Sequence, residues 1–76
     1  MTPLEALEKA VELAGGQSKL AAQIGKKQGH IWHWLNKSLM CPAEQAIPIS
    51  TAVGGRVSPH DLRPDIYPAS AMEAAQ

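Results

Sequence analysis

Two histidines three residues apart, His30 and His33, stand in a chain with one cysteine, Cys41, and one further histidine, His60. Imidazoles at that spacing share a helix face and suit a transition metal. A zinc site needs a second organised ligand pair, and the spacing does not supply one, so neither a metal nor a cofactor is expected. Asp61 and Asp65 resemble a carboxylate pair, but they lie among Ser58, Arg63 and two prolines. Helix capping and an ion pair with Arg63 account for them better than acid–base catalysis does. With no nucleophile–base pair and no cofactor-binding loop, neither an enzyme nor a small-molecule substrate is expected. The segment that carries distinctive chemistry is Gln17–Lys37, QSKLAAQIGKKQGHIWHWLNK, with four lysines, two histidines, two tryptophans and no acid. Ammonium groups suit phosphates, and amides and flat rings suit base edges.

The whole chain is neutral, so the sign of its partner is not set by net charge. The distribution is more informative. Residues 1–12 hold Glu5, Glu8 and Glu12 against Lys9. Residues 44–76 hold Glu44, Asp61, Asp65 and Glu73 against Arg56 and Arg63. Lys19, Lys26, Lys27 and Lys37 lie between these acidic ends, and a polyanion meets that local field rather than the sum. Seventy-six residues suit one domain with one small core. With no Phe, that core must be mostly Leu, Ile, Val and Ala, which suits short helices. A lone cysteine excludes an internal disulfide. Glu5, Glu8 and Glu12 interrupt the only stretch that resembles a leader, and no run is long enough to cross a bilayer. The expectation is a soluble cytoplasmic domain, with no membrane association.

About five short helices must position these groups. Thr2-Pro3-x-Glu5 is a helix start with the residues of a capping box. Leu4, Leu7, Ala10, Val11 and Ala14 then repeat on one face, and Gly15-Gly16 stops the helix. A second helix opens at Gln17 or Ser18, buries Leu20, Ala21 and Ile24, and closes at Gly25. A third spans about Gln28 to Asn36. Ile31, Trp34 and Leu35 point inward, while Gln28, Gly29, Trp32, His33 and Asn36 point outward. After a connector over Lys37–Met40, a fourth helix opens at Pro42. Ala43, Ala46, Ile47 and Val53 are its apolar positions, and Pro48 is expected to kink or split it. Gly54-Gly55 ends it. Val57 suits a short extended piece, and Ser58-Pro59-His60-Asp61 starts one more helical turn before Pro64. Residues 69–76 suit a disordered tail, leaving residues 1–68 as the domain.

Gln17 to Asn36 resembles the helix-turn-helix of bacterial and phage repressors. Where that family has a small residue at the helix crossing, this chain has Ala21, and Gly25 stands where it has a glycine in the turn. Leu20, Ile24, Ile31 and Trp34 fall on its apolar positions. Lys26 departs from an apolar position, so either the turn is more exposed or the lysine lays its stem along the core. The likeness continues through GGQSKLAAQIG, CPAEQAIPISTAVGG and HDLRPDIYP. Over residues 4–68 the chain resembles the Cro-type prophage regulators of the YdaS family. That resemblance implies an all-α fold, a small helix-turn-helix domain of the lambda-repressor-like type. It also implies sequence-specific binding of double-stranded DNA in the major groove, as a homodimer or higher oligomer, in a Cro-like repressor of phage or prophage genes. An antitoxin or adaptor that binds a protein partner is the competing reading.

Docking of the third helix in a major groove assigns the residues. Gln28 offers an amide that suits adenine, and Gly29 permits close approach. His33 faces a phosphate, a guanine or plain solvent, and Asn36 shares its face. Three uses are open to Trp32: contact with a thymine methyl or sugar edge, folding back over Gln28, or filling a subunit contact. Lys26, Lys27 and Lys37 flank the helix for phosphates, as do Gln17, Ser18 and Lys19 at the start of the second helix. In phage repressors with glutamine at both corresponding positions, the first buttresses the second, which implies a Gln17–Gln28 pair here. Ile49, Val57, Leu62, Ile66 and Tyr67 are the expected dimer surface, unless they only close the monomer's own core.

Overall fold

The structure is a computed structural model that describes residues 2–67. The expected tail over residues 69–76, and the Pro68 boundary, lie outside the described residues. Helix α1 spans Pro3–Ala14, α2 Gln17–Ile24, α3 Gln28–His33, α4 Ala46–Ala52 and α5 Pro59–Leu62. A π-helical turn, Trp34–Ser38, continues α3, and a 3₁₀ turn, Ala43–Gln45, precedes α4. The described residues are thus all-helical, in the arrangement of a small helix-turn-helix domain.

Local hydrogen bonds set the helix ends as their sequences imply. Thr2 Oγ1 accepts the Glu5 N–H at 3.1 Å, and the Glu5 carboxylate accepts the Thr2 N–H at 3.0 Å. That backbone bond from Thr2 holds the Glu5 carboxyl below the usual range, because it favours the charged form. Gly15, at φ 96°, ends α1, and its N–H reaches the Val11 and Glu12 carbonyls. Ser58 and Asp61 form a second reciprocal cap, at 3.1 and 3.2 Å. Asp61 is therefore a capping residue, and Asp65 is bound by Arg63 through two bonds of 3.0 and 2.8 Å.

The core gathers Leu7 from α1, Leu20 from α2, Ile31 from α3, Trp34 from the π turn, Ile49 from α4 and Leu62 from α5. Cys41 and Val57 join them from the connections. Burial of such side chains is worth about 1.5–3 kcal/mol each. Burial of Cys41 pushes its thiol up to about 11, since a thiolate there would lose its water.

Several expectations are corrected. Three of the five residues assigned to a dimer surface, Ile49, Val57 and Leu62, are fully buried in the monomer and cannot meet a second copy. Only Ile66 is well exposed. Val57 starts no strand and lies in a bend. The fourth helix does not run unbroken from Pro42. It splits before Ala46, so Pro48 is the third residue of α4, where an N–H has no intrahelical acceptor to lose. Within α4 the buried positions are Ala46, Ile49 and Ser50, at i, i+3 and i+4, with Gln45 buried just before them. Ile47, one residue or about 100° on from Ala46, faces out, and Ala43 is exposed in the 3₁₀ turn, although both were expected inside. The third helix outlasts Asn36, because the π turn carries it to Ser38 and ends at Leu39, φ 59°.

The segment after Gly55 is tied back to the chain ahead of α4. Arg63, through Nη1, donates to the Cys41 carbonyl at 3.1 Å while its other nitrogens hold Asp65. The His60 ring donates through Nδ1 to the Tyr67 carbonyl at 2.7 Å. Among the described residues no helix is long and apolar enough to cross a membrane.

Candidate nucleic-acid interface

The α2–α3 junction is built so that its interior is apolar and its rim is not. Leu20 and Ala21 are buried on α2, and Ile31 on α3. Ala21 is small enough to let the two helices cross. At the end of α2, Gly25 turns the chain at φ 73°, and the Lys26 N–H closes back on the Ala21 carbonyl at 2.8 Å. A side chain with a Cβ would be strained there. Every residue from Gly25 to His30 is exposed. Lys26 takes the exposed course, which is why a lysine suits a position that the repressor pattern makes apolar.

The sequence-assigned residues share this surface. Ser18, Lys19, Lys26, Lys27, Gln28, Gly29, Trp32, His33, Asn36 and Lys37 are exposed, and Gln17 is partly buried. Gln17 and Gln28 meet: the Gln28 Nε2 donates to the Gln17 Oε1 at 2.6 Å. One donor of Gln28 is thereby used for orientation. A second N–H and the carbonyl oxygen remain, the donor and acceptor that the major-groove edge of adenine complements. Gly29 has helical geometry, and a Cβ placed on it would meet nothing within 4 Å. The fold itself therefore does not require glycine at this position.

Trp32 is 46% exposed, and the Lys37 ammonium lies 6.0 Å from its ring centroid. Asn36 turns toward its own helix, its Nδ2 donating to the Trp32 carbonyl at 2.9 Å. One donor of Asn36 is committed locally, and it stands apart from the Gln17–Gln28 pair. The stem of Lys19 lies over Gly15, its Cδ at 3.0 Å from where a Cβ would stand. Its side chain therefore lies beside the carboxyl end of α1.

Sequence reasoning missed the role of His30. Its Nδ1 accepts the Lys27 N–H at 3.2 Å, and its ring centroid lies 6.5 Å from that of Trp34. The imidazole stands in for the acid of a capping box, with its other nitrogen free to donate outward. The signal was the three-residue spacing from Lys27 to His30, hidden because histidine is an unusual occupant of that place. Among the described residues Lys19, Lys26, Lys27 and Lys37 have no ion-pair partner, whereas Lys9 pairs with Glu12 and Arg63 with Asp65. Their field is therefore not cancelled at short range.

A family model described as Bacterial toxin YdaS matches residues 7–71. No curated protein and no solved structure matches the chain.

Proposed function

This chain belongs to the YdaS family, small prophage proteins related to toxins and antitoxins, and from that premise we propose that it is a sequence-specific regulator of transcription that binds double-stranded DNA. The observation that carries the reading is the exposed α3 face. Its first amide, Gln28, is held by Gln17 across the turn, and lysines without acidic partners surround it. Bases are read by Gln28, with Gly29, Trp32, His33 and Asn36 on the same helical run. Lys26, Lys27 and Lys37 meet phosphates, with Gln17, Ser18 and Lys19 at the start of α2. The role is Cro-like: occupancy of an operator blocks a promoter of the prophage at the nucleoid, with no catalysis and no small-molecule substrate. One module touches few base pairs, so the binding unit is a homodimer on a palindrome. Its apolar contacts come from side chains left outside the core, such as Leu39, Ile47 and Ile66.

A second reading follows from the family description and the exposed indole of Trp32: the same face binds a protein partner, as an antitoxin or adaptor does. Salt separates the two. Phosphate contacts release counterions, so DNA affinity falls steeply between low and moderate salt, whereas a hydrophobic contact with protein does not weaken. The test is a gel-shift titration on the DNA flanking its gene at two salt concentrations. Gln28→Ala is expected to lose about 1–3 kcal/mol of discrimination at one base pair. Lys27→Ala should weaken binding to all sequences alike. Wild-type behaviour in both variants would mean that α3 does not face the duplex.

A further inference from the structure

We propose that Trp32 reads a thymine through its C5-methyl group, about two base pairs along the groove from the base met by Gln28; this rests on the DNA-binding reading above. Trp32 lies four residues after Gln28 in α3, so the two side chains share a face. Four residues of helix advance about 6 Å, close to two base-pair steps of about 3.4 Å. The apolar group that the major groove offers at that depth is the thymine methyl. An indole matches it as a flat apolar surface, and 46% of Trp32 is available to it.

The π turn contributes to the geometry. In an unbroken α-helix a residue five places on lies about 140° around the axis. A turn closed by bonds between residues five apart brings that residue back toward the same side. The Trp34–Ser38 turn places the Lys37 ammonium 6.0 Å from the Trp32 ring in this way. The Asn36 amide meanwhile holds the Trp32 carbonyl. Lys37 thus supports the ring on one side and leaves the rest to the groove, much as Gln17 steadies Gln28.

The experiment uses a duplex that the full chain selects from a randomised DNA pool, remade with uracil in place of each thymine in turn. Uracil keeps every hydrogen-bonding group and lacks only the methyl. At one thymine in each half-site, loss of the methyl should weaken wild-type binding about three- to fivefold, the worth of one apolar carbon. That thymine should lie about two base pairs from the position where Gln28→Ala relaxes discrimination. Trp32→Ala should bind the thymine and uracil duplexes equally, and Trp32→Leu should keep part of the difference. Both are surface substitutions, and their thermal unfolding should match the wild type. The inference is overturned if no thymine shows a methyl effect, or if Trp32→Ala keeps it, while binding stays salt-dependent and Gln28-dependent; the DNA-binding reading then survives without it. If no duplex is enriched from the pool, both fall.

Discussion

Adding one methyl group at Gly29 should move stability and binding in opposite directions. Gly29 is the second residue of α3 and is absent from the positive-φ glycines of the chain. A Cβ there would have no atom within 4 Å, so Gly29→Ala introduces no clash in the free protein. What remains is helix propensity, about 0.5–1 kcal/mol in favour of alanine and toward the lower figure so near a helix end. For a domain of this size that raises Tm by about 2–8 °C. In the complex the same methyl projects from the face assigned to the groove. Overpacking an interface that approaches the backbone costs about 1–3 kcal/mol, or roughly five- to 150-fold in affinity. Thermal unfolding by circular dichroism and fluorescence-anisotropy titration of a labelled duplex measure the two effects on one preparation. A more stable variant with undiminished affinity would mean that DNA does not come close to Gly29. A variant less stable than the wild type would refute the open helical placement of the residue itself.

Other expectations follow from single interactions. Gln17→Ala removes a neutral surface hydrogen bond and should cost less than about 1 kcal/mol of stability, yet free the Gln28 side chain to turn. Titration against duplexes varied at the Gln28-dependent base pair should then show reduced discrimination. Arg63→Ala leaves the Cys41 carbonyl without its donor, and urea unfolding should show a loss of about 1–3 kcal/mol. Arg63→Lys should restore little of it, because a lysine cannot hold Asp65 in a fork while reaching Cys41. The Cys41 thiol ionises near 9 when unfolded and at about 11 when folded. Its contribution is therefore complete below about pH 9 and is lost as the pH rises toward 11, roughly 3 kcal/mol in all, a slope that Cys41→Ala should lack. At the acid end, the capping bonds of Glu5 and the Arg63 fork on Asp65 hold both carboxyls below their ordinary range. Their contribution is present above about pH 4 and is lost as the pH falls below it. Acid titration of unfolding should be flatter in the Glu5→Gln, Asp65→Asn double variant.

Features that depend on neighbours within a few residues could be read without any knowledge of the fold. Thr2 with Glu5, Ser58 with Asp61, and the glycine ends of α1 and α2 could be placed because cap and partner lie within one turn of each other. The exposed, acid-free segment was legible for the same reason, and the repressor resemblance implied the Gln17–Gln28 pair. His30 escaped because its capping use depends on how one ring turns rather than on residue type.

Tertiary packing decided the rest. The side of α4 that rests on the rest of the domain put Ile49 inside and Ile47 outside, and the start of that helix at Ala46 left Pro48 where its missing donor is not needed. Ile49, Val57 and Leu62 look alike in a linear pattern whether they serve a core or an interface. Only the closure of α5 over the domain, held by Arg63 on the Cys41 carbonyl, makes them core. A hydrogen bond to a neighbour within one turn is dictated by the chain's own geometry. Which apolar side chain loses its water depends on the relative placement of helices far apart along that chain.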